Sequence, residues 1–119
     1  MQLICYPRCS TCQKAKQWLD ARGIVYKERH IKDDRPTVEE LRAWHSQSGL
    51  PLKKFFNTSG LLYKQLQLKD RLPAMTEEEQ LILLASDGML VKRPLVVTES
   101  YVLTGFREKE WEEKMLPKE

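Results

Sequence analysis

A chain of 119 residues, 41% hydrophobic and 31% charged, has the make-up of one globular domain able to bury its own core. Its net charge of +3, from 20 basic and 17 acidic residues of interspersed sign, is too mild an excess to point to direct nucleic-acid or membrane binding. No apolar run approaches the roughly 18 residues that span a bilayer and the N-terminus lacks the pattern of an export signal, so a cytoplasmic protein, taken as a monomer, is expected.

Residues 2–6 (Gln2-Leu3-Ile4-Cys5-Tyr6) read as a short strand that Pro7 and Arg8 break. A helical pattern runs from Ser10 to about Arg22, with Cys12, Ala15, Trp18 and Leu19 on one face, and Gly23 supplies a left-handed stop. Ile24-Val25-Tyr26 begin a second strand reaching about Arg29, which makes a βαβ unit with a parallel pair. After a loop from Asp33 to Pro36, Thr37 and Glu40 form a capping-box signature before a helix with Val38, Leu41 and Trp44 on its apolar face. Gly49 ends it, Pro51 opens a short helical turn through Phe56, and Asn57-Thr58-Ser59-Gly60 is a turn cluster.

Residues 61–67 look helical, and Thr76 with Glu79 is a second capping box, before a helix carrying Leu81, Leu84 and Ala85 that Asp87-Gly88 stops. Pro94 to Thr98 and Val102 to Thr104 read as two strands joined by a tight turn at Glu99-Ser100, hence an antiparallel hairpin. A last helix starts near Glu108, with Trp111 and Met115 facing inward and Lys114 and Lys118 suited to its negative end. The order β-α-β, helical insert, β-β-α predicts an α/β fold: a mixed four-stranded sheet with helices packed on it.

The three cysteines, Cys5, Cys9 and Cys12, fall within twelve residues, so they cannot staple distant parts of the fold, and chemistry is the better reading. Cys9-Ser10-Thr11-Cys12 is a C-x-x-C pair where strand gives way to helix. Cys9 falls at the helix N-cap, where free N–H groups and the positive dipole end favour an anion. Such surroundings lower a cysteine's pKa and make it nucleophilic. Arg8 adds a nearby charge. Cys12, one turn on, is either a resolving thiol that closes a Cys9–Cys12 disulfide or an inert core side chain. Cys5, on the strand, reads as packing. A zinc site needs four ligands, and Cys5, His30 and His45 have no ligand-pair spacing, so no metal is expected. Arg93 before Pro94 is either a solvated charge or an anion holder near Cys9.

The segments Tyr6-Pro7-Arg8-Cys9-Ser10-Thr11-Cys12-Gln13-Lys14-Ala15, Phe55-Phe56-Asn57-Thr58-Ser59-Gly60, Lys92-Arg93-Pro94-Leu95-Val96-Val97 and Gly105-Phe106-Arg107-x-x-Glu110 together resemble the arsenate reductase/Spx family over essentially the whole chain. The resemblance implies a thioredoxin-like fold over residues 1–119, with a helical insert at about 36–88 and a cis Arg93–Pro94 bond facing the cysteine. In the glutathione-coupled arsenate reductases of that family a cysteine matching Cys9 attacks arsenate, and three arginines hold the oxyanion. Arg93 matches one. Asn57-Thr58-Ser59 stand where another belongs, Arg107 fills the third place only with a one-residue shift, and Cys5 stands where the family has a histidine. Losing arginines weakens a small oxyanion clamp.

The Spx-like branch implies a C-x-x-C redox switch that contacts the C-terminal domain of the RNA polymerase α-subunit. The leading expectation is a thiol-dependent oxidoreductase with Cys9 as nucleophile, Cys12 or an external thiol as resolver, and Arg93 stabilising an anionic substrate or leaving thiolate. Ser10, Thr11, Pro94, Arg8 and Arg107 are the supporting candidates. Glutathione with glutaredoxin, or thioredoxin, is the expected reductant, with no bound cofactor.

Overall fold

The computed structural model describes residues 1–116, so Lys118 lies outside the described residues. Four short strands, β1 (Gln2–Cys5), β2 (Lys27–His30), β3 (Leu95–Val97) and β4 (Val102–Thr104), form one sheet in the order β2-β1-β3-β4. β1 runs parallel to β2 and antiparallel to β3, and β3 runs antiparallel to β4. The parallel pair needs a crossover, which α1 (Ser10–Ala21) supplies. The β3–β4 hairpin closes as expected, with the Thr98 hydroxyl accepting from the Ser100 and Tyr101 amides at 3.1 and 2.9 Å.

The second strand is shorter and later than its apolar residues suggest. Gln2 of β1 pairs with Lys27, so pairing starts only there. Ile24 instead donates its amide to the Leu19 carbonyl at the end of α1, and Val25 stands in solvent, 88% exposed. An edge strand is defined by what its neighbour offers, and here the paired residues are Lys27, Glu28, Arg29 and His30.

Alternation along the strands divides the core. Leu3, Cys5, Val96 and Leu103 share a cluster with Cys12, Ala15, Trp18 and Leu19 of α1 and with Trp111 of α6 (Glu108–Met115). Ile4, Leu95 and Val102 point the other way, into the residues between β2 and β3. The α1 face read from the sequence is buried as expected, and Trp111 is fully buried with Met115 half-buried at its side.

The opposite layer is helical. α2 (Val38–Ser48) starts on the Thr37–Glu40 capping box and ends at Gly49, whose φ of +69° a side chain resists. A 3₁₀ turn spans Leu52–Phe55. Residues 61–67 do not form one helix: α3 (Leu61–Gln65) ends, Gln67 takes φ +53°, and α4 (Leu68–Arg71) restarts, continuing as a 3₁₀ turn at Leu72–Ala74. Leu68 and Leu72 are both buried, and their burial holds the restarted helix down. α5 (Glu77–Ser86) begins on the Thr76–Glu79 capping box. Two backbone bonds, Asn57 N–H to Leu90 C=O at 2.8 Å and Lys92 N–H to Phe55 C=O at 2.7 Å, clip this layer to the segment leading into β3. Among the described residues no helix is long and apolar enough to cross a membrane.

Candidate active site

Cys9 stands at the N-cap of α1 with extended backbone, φ −85° and ψ 121°. The loop that presents it is fastened three ways. The Cys9 amide donates to the Tyr6 carbonyl at 3.0 Å, the Gln13 side chain donates to the Pro7 carbonyl at 2.6 Å, and the Tyr6 amide donates to Cys12 Sγ at 3.4 Å. Cys9 is partly exposed, whereas Cys5 and Cys12 are buried, and all three are free thiols.

Cys12 is the sulfur that meets both others. Its hydrogen bond to Cys5, together with burial, pushes the Cys12 thiol far above the ordinary cysteine range, against the lowering pull of the Tyr6 amide and of Cys9. The same Cys12 bond holds Cys5 below its ordinary value, against burial and the Glu28 carboxylate. Cys5 donates to Glu28 Oε1 at 3.4 Å, and that oxygen also receives Lys16 Nζ at 3.1 Å. Cys12 therefore links the partly exposed Cys9 to the buried Cys5, whose sulfur ends on a carboxylate, so the three sulfurs form a row.

A cleft of about 700 Å³ opens at Cys9. Its walls come from three separated stretches: Cys9 and Thr11, most of the run Pro51 to Gly60, and the two ends of the β3–β4 hairpin at Lys92–Arg93 and Thr104–Arg107. Lys53, Lys54, Lys92, Arg93 and Arg107 all line it, and among the described residues no carboxylate does. The Arg93–Pro94 peptide is cis, and the Pro94 carbonyl accepts from the Gly105 amide at 2.8 Å, which ties the two walls of the third stretch together. The Arg93 guanidinium lies over the Tyr6 ring, its carbon 5.4 Å from the centroid, and its Nη1 is buried with no hydrogen-bond partner among the described residues. A buried, unpartnered charged donor is costly, and the Arg93 side chain that carries it shares the cleft lining with Cys9.

Of the residues singled out in the sequence, Cys9, Thr11, Arg93 and Arg107 line this cleft. Pro94 is buried behind it, Cys12 lies beneath Cys9 in the core, and Arg8 and Ser10 are exposed on the loop outside the cleft lining. The sequence reading missed Lys53, Lys54 and Lys92. The first two ride on the 3₁₀ turn after Pro51, and Lys92 sits beside Arg93. Only a basic pair in a turn next to two buried phenylalanines hinted at them.

The sheet order and the cysteine at the start of α1 define a thioredoxin-like protein. The chain belongs to the ArsC family, whose sequence profile matches residues 5–114. It is 55% identical over 108 residues to the uncharacterized protein YusI of Bacillus subtilis, covering 91% of this chain and 92% of that one. It is also 33% identical over 101 residues to the regulatory protein MgsR of the same organism, covering 85% and 79%. Among solved structures, an ArsC family related protein from Bacteroides fragilis superposes with a TM-score of 0.92 at 63% identity, covering 94% of both chains. A possible arsenate reductase from Streptococcus mutans UA159 superposes at 0.85 with 45% identity, covering 93% and 96%.

Proposed function

We propose that this protein is a thiol-dependent oxidoreductase of the ArsC family that acts on an oxidised, negatively charged substrate. The observation that carries the reading is the cleft at Cys9, lined by Lys53, Lys54, Lys92, Arg93 and Arg107 and, among the described residues, by no carboxylate. An anionic group seated there meets charged hydrogen-bond donors from several of these side chains. Cys9 attacks the oxidised atom and forms a covalent adduct. Cys12, or a small thiol such as glutathione, then attacks that adduct and releases the reduced product.

The charges around Arg93 favour a substrate larger than a bare oxyanion. Three of the five cations are lysines, point charges without the planar fork that clamps a small tetrahedral anion. A cleft of about 700 Å³ suits a ligand with several spaced carboxylates, such as an oxidised glutathione adduct. The test couples turnover to NADPH through glutathione, glutathione reductase and glutaredoxin, with arsenate and with glutathione mixed disulfides as alternative substrates. Turnover that Cys9→Ser abolishes is the expected result, and thioredoxin in place of glutaredoxin identifies the reductant. No turnover with either substrate class would overturn the reading.

The similarity to the regulatory protein MgsR supports a second reading, a redox-switched binding protein without turnover. Its partner would be the C-terminal domain of the RNA polymerase α-subunit. Capture of that domain by the protein in one redox state, combined with an inactive coupled assay, would favour it.

A further inference from the structure

Cys5 has no role in the reaction just described, yet it lies beside the resolving sulfur. It faces α1 from β1, on the side of the sheet that carries Leu3. The Tyr6 amide, next along the chain from Cys5, donates to Cys12 Sγ at 3.4 Å, which brings the Cys12 sulfur down onto the end of β1. Cys12 interacts with both Cys5 and Cys9. Cys5 in turn ends on Glu28 Oε1 at 3.4 Å, and Glu28, a little under half exposed, connects that buried sulfur to solvent. A residue kept only for packing has no use for a carboxylate at its sulfur, since a buried thiol is satisfied as a small apolar group.

We propose that Cys5 is a third redox thiol, which takes the disulfide from Cys9–Cys12 and stores it as a buried Cys5–Cys12 bond while returning Cys9 to its reduced state. This rests on Cys9 being the entry point proposed above. The oxidant is a low-molecular-weight disulfide of the glutathione type. Cys9 attacks it, forming a mixed disulfide and releasing one thiol. Cys12 attacks the Cys9 sulfur, forming Cys9–Cys12 and releasing the second thiol, which leaves with the Cys12 proton. Cys5 then attacks the Cys12 sulfur. The Cys5–Cys12 bond forms, the Cys9–Cys12 bond breaks, the Cys5 proton passes to the Glu28 carboxylate, and Cys9 departs as thiolate. The last step is an exchange without net oxidation. Two electrons have gone from Cys5 and Cys12 to the external disulfide, and Cys9 is free to react again.

Trypsin separates the outcomes, because cleavage after Arg8 and Lys14 leaves Cys5 in peptide 1–8 and both Cys9 and Cys12 in peptide 9–14. The full-length protein is oxidised with glutathione disulfide, quenched in acid, alkylated with N-ethylmaleimide under denaturing conditions and digested. The expected product is peptide 1–8 cross-linked to 9–14, with the single alkyl group on Cys9. In Cys5→Ser the oxidation should stop at peptide 9–14 carrying its internal disulfide. Glu28→Gln keeps all three sulfurs. It should leave the rate of Cys9 glutathionylation unchanged and slow the appearance of the cross-link by about tenfold near neutral pH. If the wild-type protein ends with peptide 9–14 internally bonded and Cys5 alkylated, the proposal fails while the Cys9 reading stands. If Cys9 acquires neither glutathione nor a partner, both fail.

Discussion

If the Arg93 donor waits for an anion, then Cys9 should prefer a negatively charged electrophile, and Arg93 should be the reason. Iodoacetate and iodoacetamide differ by that charge, and the ratio of their rates at a single pH cancels the ionised fraction of the sulfur. The ratio is referred to the same ratio for a free small thiol. One charge-assisted hydrogen bond from the Arg93 guanidinium, which lines the cleft, contributes about 1.5–2 kcal/mol, which is a factor of roughly ten to thirty in relative rate. Arg93→Met keeps an apolar stem over the Tyr6 ring and should remove most of that factor while leaving iodoacetamide nearly unaffected. Raising ionic strength from about 0.01 to 1 M shortens the screening length from about 30 to 3 Å and should lower the wild-type ratio in the same direction. Stability should move the other way from reactivity. The variant loses a cation–π contact worth about 0.5–1 kcal/mol but also loses a buried orphan donor that costs about 1–3 kcal/mol. Urea unfolding should therefore find it at least as stable as the parent. A charge ratio that Arg93→Met leaves untouched, or a variant that is both unselective and badly destabilised, would show that Arg93 is a structural side chain.

Three further outcomes follow from the packing and the charges. A methyl group at Gly88 would overlap the carbonyl oxygen of Ile31, a backbone atom that cannot swing aside, so Gly88→Ala should cost about 2–3 kcal/mol in urea unfolding. Glu40 sits on the Arg29 guanidinium at 2.7 and 2.8 Å, and this pair chiefly holds its carboxyl down at about 2 against an ordinary 4.5. Its contribution is whole above about pH 4.5 and lost as pH falls toward 2. Solvent reaches a third of the side chain, so Glu40→Gln should cost about 1–2 kcal/mol at pH 7 and little at pH 2 by urea unfolding at both. Trp111 is fully buried and donates to the Gly105 carbonyl at 3.2 Å, so Trp111→Phe should cost about 2–3 kcal/mol by orphaning that acceptor and thinning the cluster with Trp18 and Phe106.

What could be read from the sequence was local. The two capping boxes, the α1 face and the hairpin turn each carry their cause within four to ten residues, and each forms as read. The start of β2 could not be read, because Gln2 of another strand decides where pairing begins. Nor could the break at Gln67, where a residue with a side chain takes a left-handed turn that nothing in its type announces. The site divides in the same way. Cys9 and Arg93 stand at element boundaries that sequence can mark. Lys53, Lys54 and Lys92 are ordinary surface lysines until three distant stretches close around one cleft. The meeting of Cys5 with Cys12 needs the β1 face that carries Leu3 and the buried face of α1, and these come together only once the crossover has chosen its side of the sheet.

The sulfur row has opposite electrostatic surroundings at its two ends. In front of Cys9 the described cleft residues present five cations and no carboxylate, surroundings that favour negative charge. Behind Cys5 a carboxylate waits, already shared with Lys16. An exchange that begins at Cys9 expels negative charge toward the cations, and one that ends at Cys5 sheds a proton toward the carboxylate. In the exchange proposed above, the inward step is thus favoured by the cations near the departing Cys9 thiolate and by the carboxylate that takes the Cys5 proton. Placing a positive charge at the inner end, as in Glu28→Lys, should therefore slow the inward exchange without touching the first attack at Cys9. Equal slowing of both steps would show that the charge acts on the fold as a whole.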